Sequence, residues 1–164
     1  MKMPKQNRTS TRAFRSSDLI AVKGLVRTTI DACYAEVYPK EAVQFFKDWH
    51  CDEKILKNAK EGYTILLHQD NRIVGTGTIV DDEVMRVFVD PAFQRRGFGK
   101  LIMRKLEKRA VSTGVDVVKL DASLPAKTFY DALGYVTLEK TFLEVGNNRR
   151  LDFYKMEKAL VKRV

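Results

Sequence analysis

The stretch VDPAFQRRGFGK, from Val89 to Lys100, joins an apolar segment to an amphipathic one. Its proline ends a strand, because proline cannot donate to the ladder and the residue before it avoids the helical region. Two adjacent arginines and two closely spaced glycines follow. A strand that enters a helix through such a loop is typical of a site that binds an anion through backbone N–H groups.

Two well-known phosphate-binding motifs do not fit this loop. The dinucleotide fingerprint G-x-G-x-x-G needs a third glycine, and Ile102 stands at that position. The Walker A motif needs serine or threonine after its lysine, and a leucine follows here. A third pattern, [Gln/Arg]-x-x-Gly-x-[Gly/Ala], does fit, with Gln94, Gly97 and Gly99 at its key positions.

The length and composition predict one globular domain. The chain has 164 residues, which is enough for a sizeable core, and we expect residues 1–11 to form a flexible polar tail before a single domain over 12–164. No apolar run approaches the roughly 20 residues that span a bilayer, and the N-terminus lacks the apolar stretch of a secretory signal. We therefore expect a cytoplasmic protein with no membrane partner.

Cysteine content and net charge exclude some classes and leave others open. Cys33 and Cys51 suggest neither a disulfide framework nor a zinc site, and no metal is expected. The net charge of +9 fits nucleic acid, an anionic membrane surface or a polyanionic small ligand. The basic residues are scattered, without an aromatic-interleaved RNA-binding signature. A nucleic-acid-binding protein is a third hypothesis, not the favoured one, and it predicts steeply salt-dependent binding.

The order of apolar patterns predicts an α/β fold with helices and strands interleaved along the chain. The expected elements are a short strand at 13–15, a helix at about 18–34, helical patterns near 45–49 and 55–59, a hairpin of strands 63–68 and 72–80, a strand at 83–89, a helix at 99–112, a strand at 115–122, a two-turn helix within 125–135, and a final hairpin turning at 146–148.

The loop motif and the element order together resemble the GCN5-related N-acetyltransferases, the GNAT family, from about residue 11 to residue 160. A second family landmark, Ala-x-x-Phe-Tyr-x-x-x-Gly-Phe/Tyr, is matched within PAKTFYDALGY by Ala126, Phe129, Tyr130, Gly134 and Tyr135. The resemblance implies a mixed, mostly antiparallel sheet of six to seven strands flanked by about four helices.

The resemblance also implies acetyl-CoA as co-substrate. A helix N-terminus offers unsatisfied N–H groups and the positive end of the helix dipole to the pyrophosphate, and we expect both loop glycines to adopt conformations that a Cβ would forbid. In the family, pantetheine inserts between the strand before the loop and its parallel neighbour. The implied cofactor-binding residues are Val87, Phe88, Val89, Gln94, Arg95, Arg96, Gly97, Phe98, Gly99, Lys100, Ser123, Ala126, Phe129 and Tyr130. Ser123 stands where many members carry asparagine, and serine reaches less far.

Acetyl transfer to an amine requires a base, an oxyanion site and a proton donor for the thiolate. The resemblance implies Tyr130 as the proton donor and Glu83 as the base. From the residues alone, Tyr130 would be a packing tyrosine and Glu83 the last residue of a solvated acidic run. Asp121 and His50 are alternative bases acting through water, and His68 is expected to be structural. We expect direct transfer in a ternary complex, because neither cysteine lies near the two motifs in sequence.

The leading hypothesis is therefore an acetyl-CoA-dependent N-acetyltransferase whose acceptor is a small amine, a peptide or a protein lysine. The alternative is a non-catalytic acyl-CoA-binding domain with a regulatory or sensing role. The acceptor pocket is expected near residues 34–57 and 144–150, where Glu36, Glu41 and Asp48 suit a cationic amine or belong to a packed helix pair. The use of other acyl groups and the choice between monomer and homodimer stay open.

Overall fold

Seven strands form one sheet with five α-helices around it in the computed structural model, which describes residues 7–160. The helices are α1 (Leu19–Tyr34), α2 (Lys40–Trp49), α3 (Asp52–Glu61), α4 (Phe98–Ser112) and α5 (Lys127–Ala132). The strands are β1 (Thr9–Ala13), β2 (Tyr63–Gln69), β3 (Arg72–Val80), β4 (Glu83–Val89), β5 (Val117–Ser123), β6 (Val136–Gly146) and β7 (Arg149–Ala159). The predicted mixed, mostly antiparallel sheet is confirmed.

Among the strands of residues 7–160 the order is β1-β2-β3-β4-β5-β7-β6, and only β4 and β5 are parallel neighbours. These two strands pair at just two positions near their beginnings, Glu83 with Lys119 and Val84 with Leu120. Further along they separate. In this region β4 contains a bulge against its other neighbour, β3. The β3–β4 register shifts between Thr76 and Thr78, and Arg86 of β4 has a left-handed φ of 55°. Such a bulge bends the strand that contains it, so the end of β4 diverges from β5.

The sheet separates two apolar layers. On one face α4 buries Ile102, Met103 and Leu106 against the sheet. On the other, α1 and α3 bury a second cluster that includes Val22 and Ile55. Strand β5 alternates between the two faces of the sheet. Its residues Val118, Leu120 and Ala122 are buried on the α4 side, while Lys119 and Asp121 are exposed on the opposite face.

The first strand corrects the sequence prediction. Strand β1 covers Thr9–Ala13, not 13–15, and it pairs with β2 from Thr9–Gln69 to Ala13–Ile65. Three residues assigned to the flexible tail therefore belong to the sheet. Their short polar side chains give no apolar alternation, so the strand is specified by its partner's backbone groups. Residues 1–6 and 161–164 lie outside the described part of the chain.

An ion pair fixes the entry from β1 into α1. The two terminal guanidinium nitrogens of Arg12 donate to the two carboxylate oxygens of Asp18 at 2.8 Å each. These hydrogen bonds lower the pKa of Asp18 to about 2. Within residues 7–160, no helix combines the length and the apolar character that crossing a membrane requires.

Candidate active site

A cavity of about 550 Å³ opens where β4 and β5 separate. Its walls come from α1, the end of β4, the glycine loop, the first turn of α4, the end of β5, and α5. Thirteen of the fourteen residues that the resemblance implied for the cofactor lie in this wall: Val87, Phe88, Val89, Gln94, Arg95, Gly97, Phe98, Gly99, Lys100, Ser123, Ala126, Phe129 and Tyr130. The tertiary structure thus brings the two sequence motifs together.

The first turn of α4 forms one end of the cavity. Gly97 caps the helix in the left-handed region, with φ of 80°. The Leu101 N–H is the first to bond back along the helix, to the Gly97 carbonyl at 3.1 Å, so the N–H groups of residues 98–100 precede the intrahelical ladder. Arg95 and Lys100 line the same end. This end is suited to a phosphate group.

The two loop glycines have different roles, which corrects the expectation that both need unusual backbone conformations. Gly97 requires its positive φ, whereas Gly99 is an ordinary helical residue of α4. At Gly99 the constraint is space, because the Phe129 ring lies 3.0 Å from the position that a Cβ would occupy. Gly99 therefore lets the second motif pack directly on the first.

Arg96 is the one implied cofactor residue that does not line the cavity. Its guanidinium lies 5.1 Å from the centroid of the Phe93 ring, and its Nη2 is 3.4 Å from the Ala92 carbonyl oxygen. Gln94, by contrast, donates from Nε2 to the Val89 carbonyl at 3.0 Å. The glutamine thereby ties the loop to the end of β4, a role in shaping the loop.

Cys33 lies in the cavity wall, which sequence reasoning missed. Its Sγ is 3.5 Å from Gln94 Nε2. Neither cysteine lies near the two motifs in sequence, but α1 packs its last turns across the opening and brings Cys33 against Gln94, 61 positions away. No local pattern in α1 could have shown this contact.

Three hydroxyl-bearing side chains meet at the deep end of the cavity. Tyr130 and Ser123 are buried, and the Ser123 Oγ has no hydrogen-bond partner among the described residues. The Tyr34 phenol lies near Ser123 without a hydrogen bond of good geometry, and burial raises the Tyr34 pKa to about 12. Burial, and then the neighbouring Tyr34, raise the pKa of Tyr130.

An unpartnered buried hydroxyl costs about 1–3 kcal/mol, and one that faces a cavity can recover this from a bound ligand. The Ser123 hydroxyl is thus suited to a polar group of a molecule that fills the space between β4 and β5. Serine at this position keeps the capacity to hydrogen-bond. The residues present therefore fit a phosphate-bearing, amide-containing ligand such as coenzyme A.

The candidate base Glu83 lies outside the cavity. It begins β4 and shares the sheet face opposite α4 with Asp121, since its neighbour Val84 is buried on the α4 side. Partial burial, then Asp121 and Asp82, raise the pKa of Glu83, while Lys155 opposes the shift. Partial burial also raises the pKa of Asp121, whose cross-strand partner is Lys155.

The two histidines are not placed to act as bases. His50 is buried, and its Nδ1 accepts a hydrogen bond of 3.0 Å from Arg86 Nε. Burial, then the charges of Arg86 and Lys54, lower its pKa to about 3. A neutral imidazole whose free lone pair is already engaged cannot take a proton readily. His68 lies in β2, away from the cavity.

Arg86 is a second residue that sequence reasoning missed. It is 5% exposed and sits at the bulge in β4. Besides His50, it donates from Nη2 to Asn58 Oδ1 at 3.1 Å. These bonds anchor the bulge to the C-terminal end of α2 and to α3. The bulge directs the end of β4 away from β5.

A second, more open cavity of about 450 Å³ lies between α2 and the turn that joins β6 to β7. Its wall comprises Lys40, Glu41, Gln44, Phe45, Asp48, Val145 and Asn147. Asn147 Nδ2 bridges the two elements by donating to Glu41 Oε1 at 3.3 Å. The structure thus brings together the two segments in which the acceptor pocket was expected.

The family follows from the chain's match to known proteins. A family model described as an acetyltransferase (GNAT) domain matches residues 34–160. The chain belongs to the GNAT family. The resemblance seen in the loop and in the second motif is therefore confirmed.

Solved GNAT structures share the fold over almost the whole chain. A GCN5-related N-acetyltransferase from Rhodopseudomonas palustris superposes with a TM-score of 0.85 at 21% identity, covering 98% of this chain and 100% of that one. A PaiA N-acetyltransferase from Thermoplasma acidophilum, solved in complex with coenzyme A, gives 0.72 at 16% identity, covering 93% and 99%. At such identities the likeness shows the fold.

A curated relative is similar over a shorter stretch. The Bacillus subtilis (strain 168) protein YyaT is 33% identical over 86 residues, which make up 50% of this chain and 58% of YyaT. The match thus spans little more than half of that relative's length.

Proposed function

We propose that this GNAT protein transfers an acetyl group from acetyl-CoA to a primary amine by direct attack in a ternary complex. The observation that carries the proposal is the cavity between the separated strands β4 and β5. It joins a helix N-terminus suited to phosphate at one end to buried hydroxyl groups at the other.

The cavity wall suggests how acetyl-CoA would lie. Its pyrophosphate would bind the N–H groups of the first turn of α4, with Arg95 and Lys100 adding charge. The pantetheine would follow the backbone of Val87 to Val89 and hydrogen-bond the Ser123 hydroxyl. The coenzyme A found with the PaiA protein of the same fold supports this choice of ligand.

Tyr130 is suited to assist the departing sulfur. Because burial raises its pKa, the phenol is neutral at physiological pH and always presents its O–H. That pKa lies above the pKa of an ordinary thiol, about 8.5, so the phenol stabilises the thiolate chiefly by donating a hydrogen bond. The thiolate then takes its final proton from a group with a lower pKa.

The acceptor amine must lose a proton before it attacks, since alkylammonium groups have pKa values near 10. We propose that Glu83 removes this proton through water, with Asp121 beside it as a second carboxylate. Both carboxyl groups have raised pKa values, which makes them stronger bases than exposed carboxylates. Both face the side of the sheet on which the second cavity, lined by α2 and the β6–β7 turn, opens. We call this cavity the groove beside α2.

The proton and electron count is complete without a further reactant. The amine lone pair forms the C–N bond, and the carbonyl electrons move onto oxygen, where a backbone N–H of residues 87–89 can donate to it. When the carbonyl re-forms, the C–S bond breaks and sulfur leaves with the bonding pair. One ammonium proton goes to Glu83 and solvent, and the second nitrogen proton goes to the thiolate.

Isothermal titration with acetyl-CoA and with coenzyme A, at two salt concentrations, tests the cofactor assignment. We expect one-to-one binding that survives moderate salt, followed by thiol release when primary amines are supplied. Binding without turnover on small amines, peptides or lysine-bearing proteins would favour the non-catalytic sensing domain. No binding, together with salt-sensitive binding of DNA or RNA, would overturn the proposal.

A further inference from the structure

The two edges of the sheet differ in length and chemistry. The β1 edge has five residues, mostly short and polar, and Arg12 within it is held by Asp18. The β6 edge has eleven residues, nearly all exposed. Long edge strands with apolar side chains readily pair with a strand of another chain, and proteins usually protect such edges with charges, bulges, proline or a covering segment.

The β6 edge carries a large share of the exposed apolar side chains of the described residues. Val136 is 62% exposed and Leu138 59%, and Phe142 and Leu143 are each 43% exposed. The strand has β7 on one side only, so its outer backbone N–H and C=O groups face solvent. An edge of this kind suits a partner that is itself an extended strand.

We propose that the partner is a second copy of this chain, paired antiparallel through β6 about a two-fold axis at Phe142. In this arrangement Lys140 of each copy lies directly opposite Glu144 of the other, and Thr141 lies opposite Leu143. The two sheets become one continuous sheet. The proposal concerns the edge of the sheet and does not depend on the proposed reaction.

The register follows from parity and charge. A two-fold axis perpendicular to the sheet keeps each side chain on its own face, and directly opposed residues share a face, so the axis must pass through a residue. An axis at Lys140 would place two lysines together, and an axis at Thr141 leaves the charges unpaired. Only the axis at Phe142 matches Lys140 with Glu144, and it does so twice.

The local structure of β6 accommodates this pairing. Register shifts against β7 occur between Thr137 and Glu139 and between Glu144 and Gly146, so the stretch from 139 to 144 is regular. Glu144 lies opposite Arg150 in the β6–β7 register, but the Arg150 guanidinium donates to Asp152 Oδ1 at 3.2 Å and lies 3.6 Å from the centroid of the Phe142 ring. In the dimer, Lys140 of the second copy would lie on the other side of Glu144 and supply it with a basic partner.

The hairpin that would form the interface also carries part of the acceptor groove. Val145 and Asn147 line the groove beside α2 and lie at the end of β6 and in the turn that follows. Pairing through β6 would order one wall of that groove. The interface residues themselves stay outside the cofactor cavity.

Charge reversal at the interface tests the register, with sedimentation velocity from low to high micromolar concentration as the readout. We expect the wild type to dimerise and Lys140→Glu and Glu144→Lys each to be monomeric, because each places like charges opposite each other at both ends of the seam. A mixture of these two variants should form a heterodimer, and the double variant should recover the homodimer. Lys108→Glu on the exposed face of α4 is the charge-matched control and should stay dimeric.

A cross-link gives an independent test. Opposed residues of an antiparallel pair have Cα atoms about 4.5–5.5 Å apart, within the range a disulfide spans, so Phe142→Cys should cross-link to itself under mild oxidation. Glu139→Cys should not, because its two copies would lie about 20 Å apart along the strands.

Circular dichroism and acetyl-CoA titration verify that each variant is folded. A wild type that is monomeric at every concentration would overturn the proposal. So would a dimer that is indifferent to all these charge changes, or cross-linking at Glu139→Cys in preference to Phe142→Cys.

Discussion

The proposed cofactor cavity between β4 and β5 and the proposed acceptor side, which includes the groove beside α2, are built in different ways. The cofactor side is formed by backbone groups and small residues within two short motifs, and its geometry depends on single positions such as Gly97. The proposed acceptor side is formed mainly by charged side chains from α2, β4 and β5, with Val145 and Asn147 added at the β6–β7 turn. A substitution that changes the backbone conformation at one loop residue disturbs the N–H groups that would bind the cofactor. Removing one charged side chain leaves the other charges of its group in place. Mutations should therefore have large effects on the first side and graded effects on the second.

The largest effect is expected for Gly97→Val. A β-branched residue cannot adopt a φ of 80° without strain, so the first turn of α4 must reorient, and acetyl-CoA affinity should fall by about a thousandfold. Gly114→Val is the matched control, because Gly114 has a φ of 84° at the other end of the same helix. Both variants should lose about 1–3 kcal/mol of stability, measured by urea unfolding. If titration shows that Gly97→Val and Gly114→Val lose the same affinity for acetyl-CoA, the glycine loop has no specific role in binding the cofactor.

Tyr130→Phe should lower kcat by about a hundredfold and leave the acetyl-CoA dissociation constant nearly unchanged, because only the thiolate needs the phenol O–H. Tyr135→Phe is the control: Tyr135 is also buried in the second motif, but its hydroxyl donates to Glu107 Oε1 at 3.0 Å, outside the cavity. That control should lose about 1 kcal/mol of stability and keep its kcat. A Tyr130→Phe enzyme with wild-type kcat would exclude the phenol from the mechanism.

The pH dependence of kcat/KM distinguishes the carboxylates on the acceptor side. A base with a raised pKa is active above that pKa, and activity is lost as the pH falls through it. Asp121→Asn removes a like charge and should move this acid limb to lower pH, whereas Lys155→Met removes an opposite charge and should move it to higher pH. Shifts in opposite directions would identify Glu83 as the titrating group. If neither substitution moves the limb, another base acts.

The smallest effect is expected in the groove beside α2. Glu41→Gln should raise the KM for a cationic acceptor by no more than about fivefold, as for an exposed charge, and leave acetyl-CoA binding unchanged. Glu53→Gln in the first turn of α3 is the control, because that carboxylate is exposed outside the groove. An acceptor KM that responds equally to both substitutions would indicate a diffuse charge effect, not a contact in the groove.

Much of the fold was predictable because its signals are local. Strand β4, helix α1 and the final hairpin follow from apolar periodicity and from turn residues, and the structure has them close to the predicted bounds. Strand β1 was misplaced because its polar residues show no periodicity, and its conformation comes from pairing with β2. The two loop glycines also looked equivalent in sequence, since the Phe129 ring that constrains Gly99 belongs to a segment 30 residues away.

The sequence by itself determined the family, the element order and most of the residues that line the cavity between β4 and β5, because motif spacing and periodicity are properties of contiguous chain. Only the tertiary structure decided that Cys33 faces Gln94, that Arg86 anchors the bulge in β4, and that Glu83 shares a face with Asp121 and Lys155. It also left β6 as a long exposed edge. Each of these depends on which strands become neighbours, and that is settled by the packing of all the elements at once.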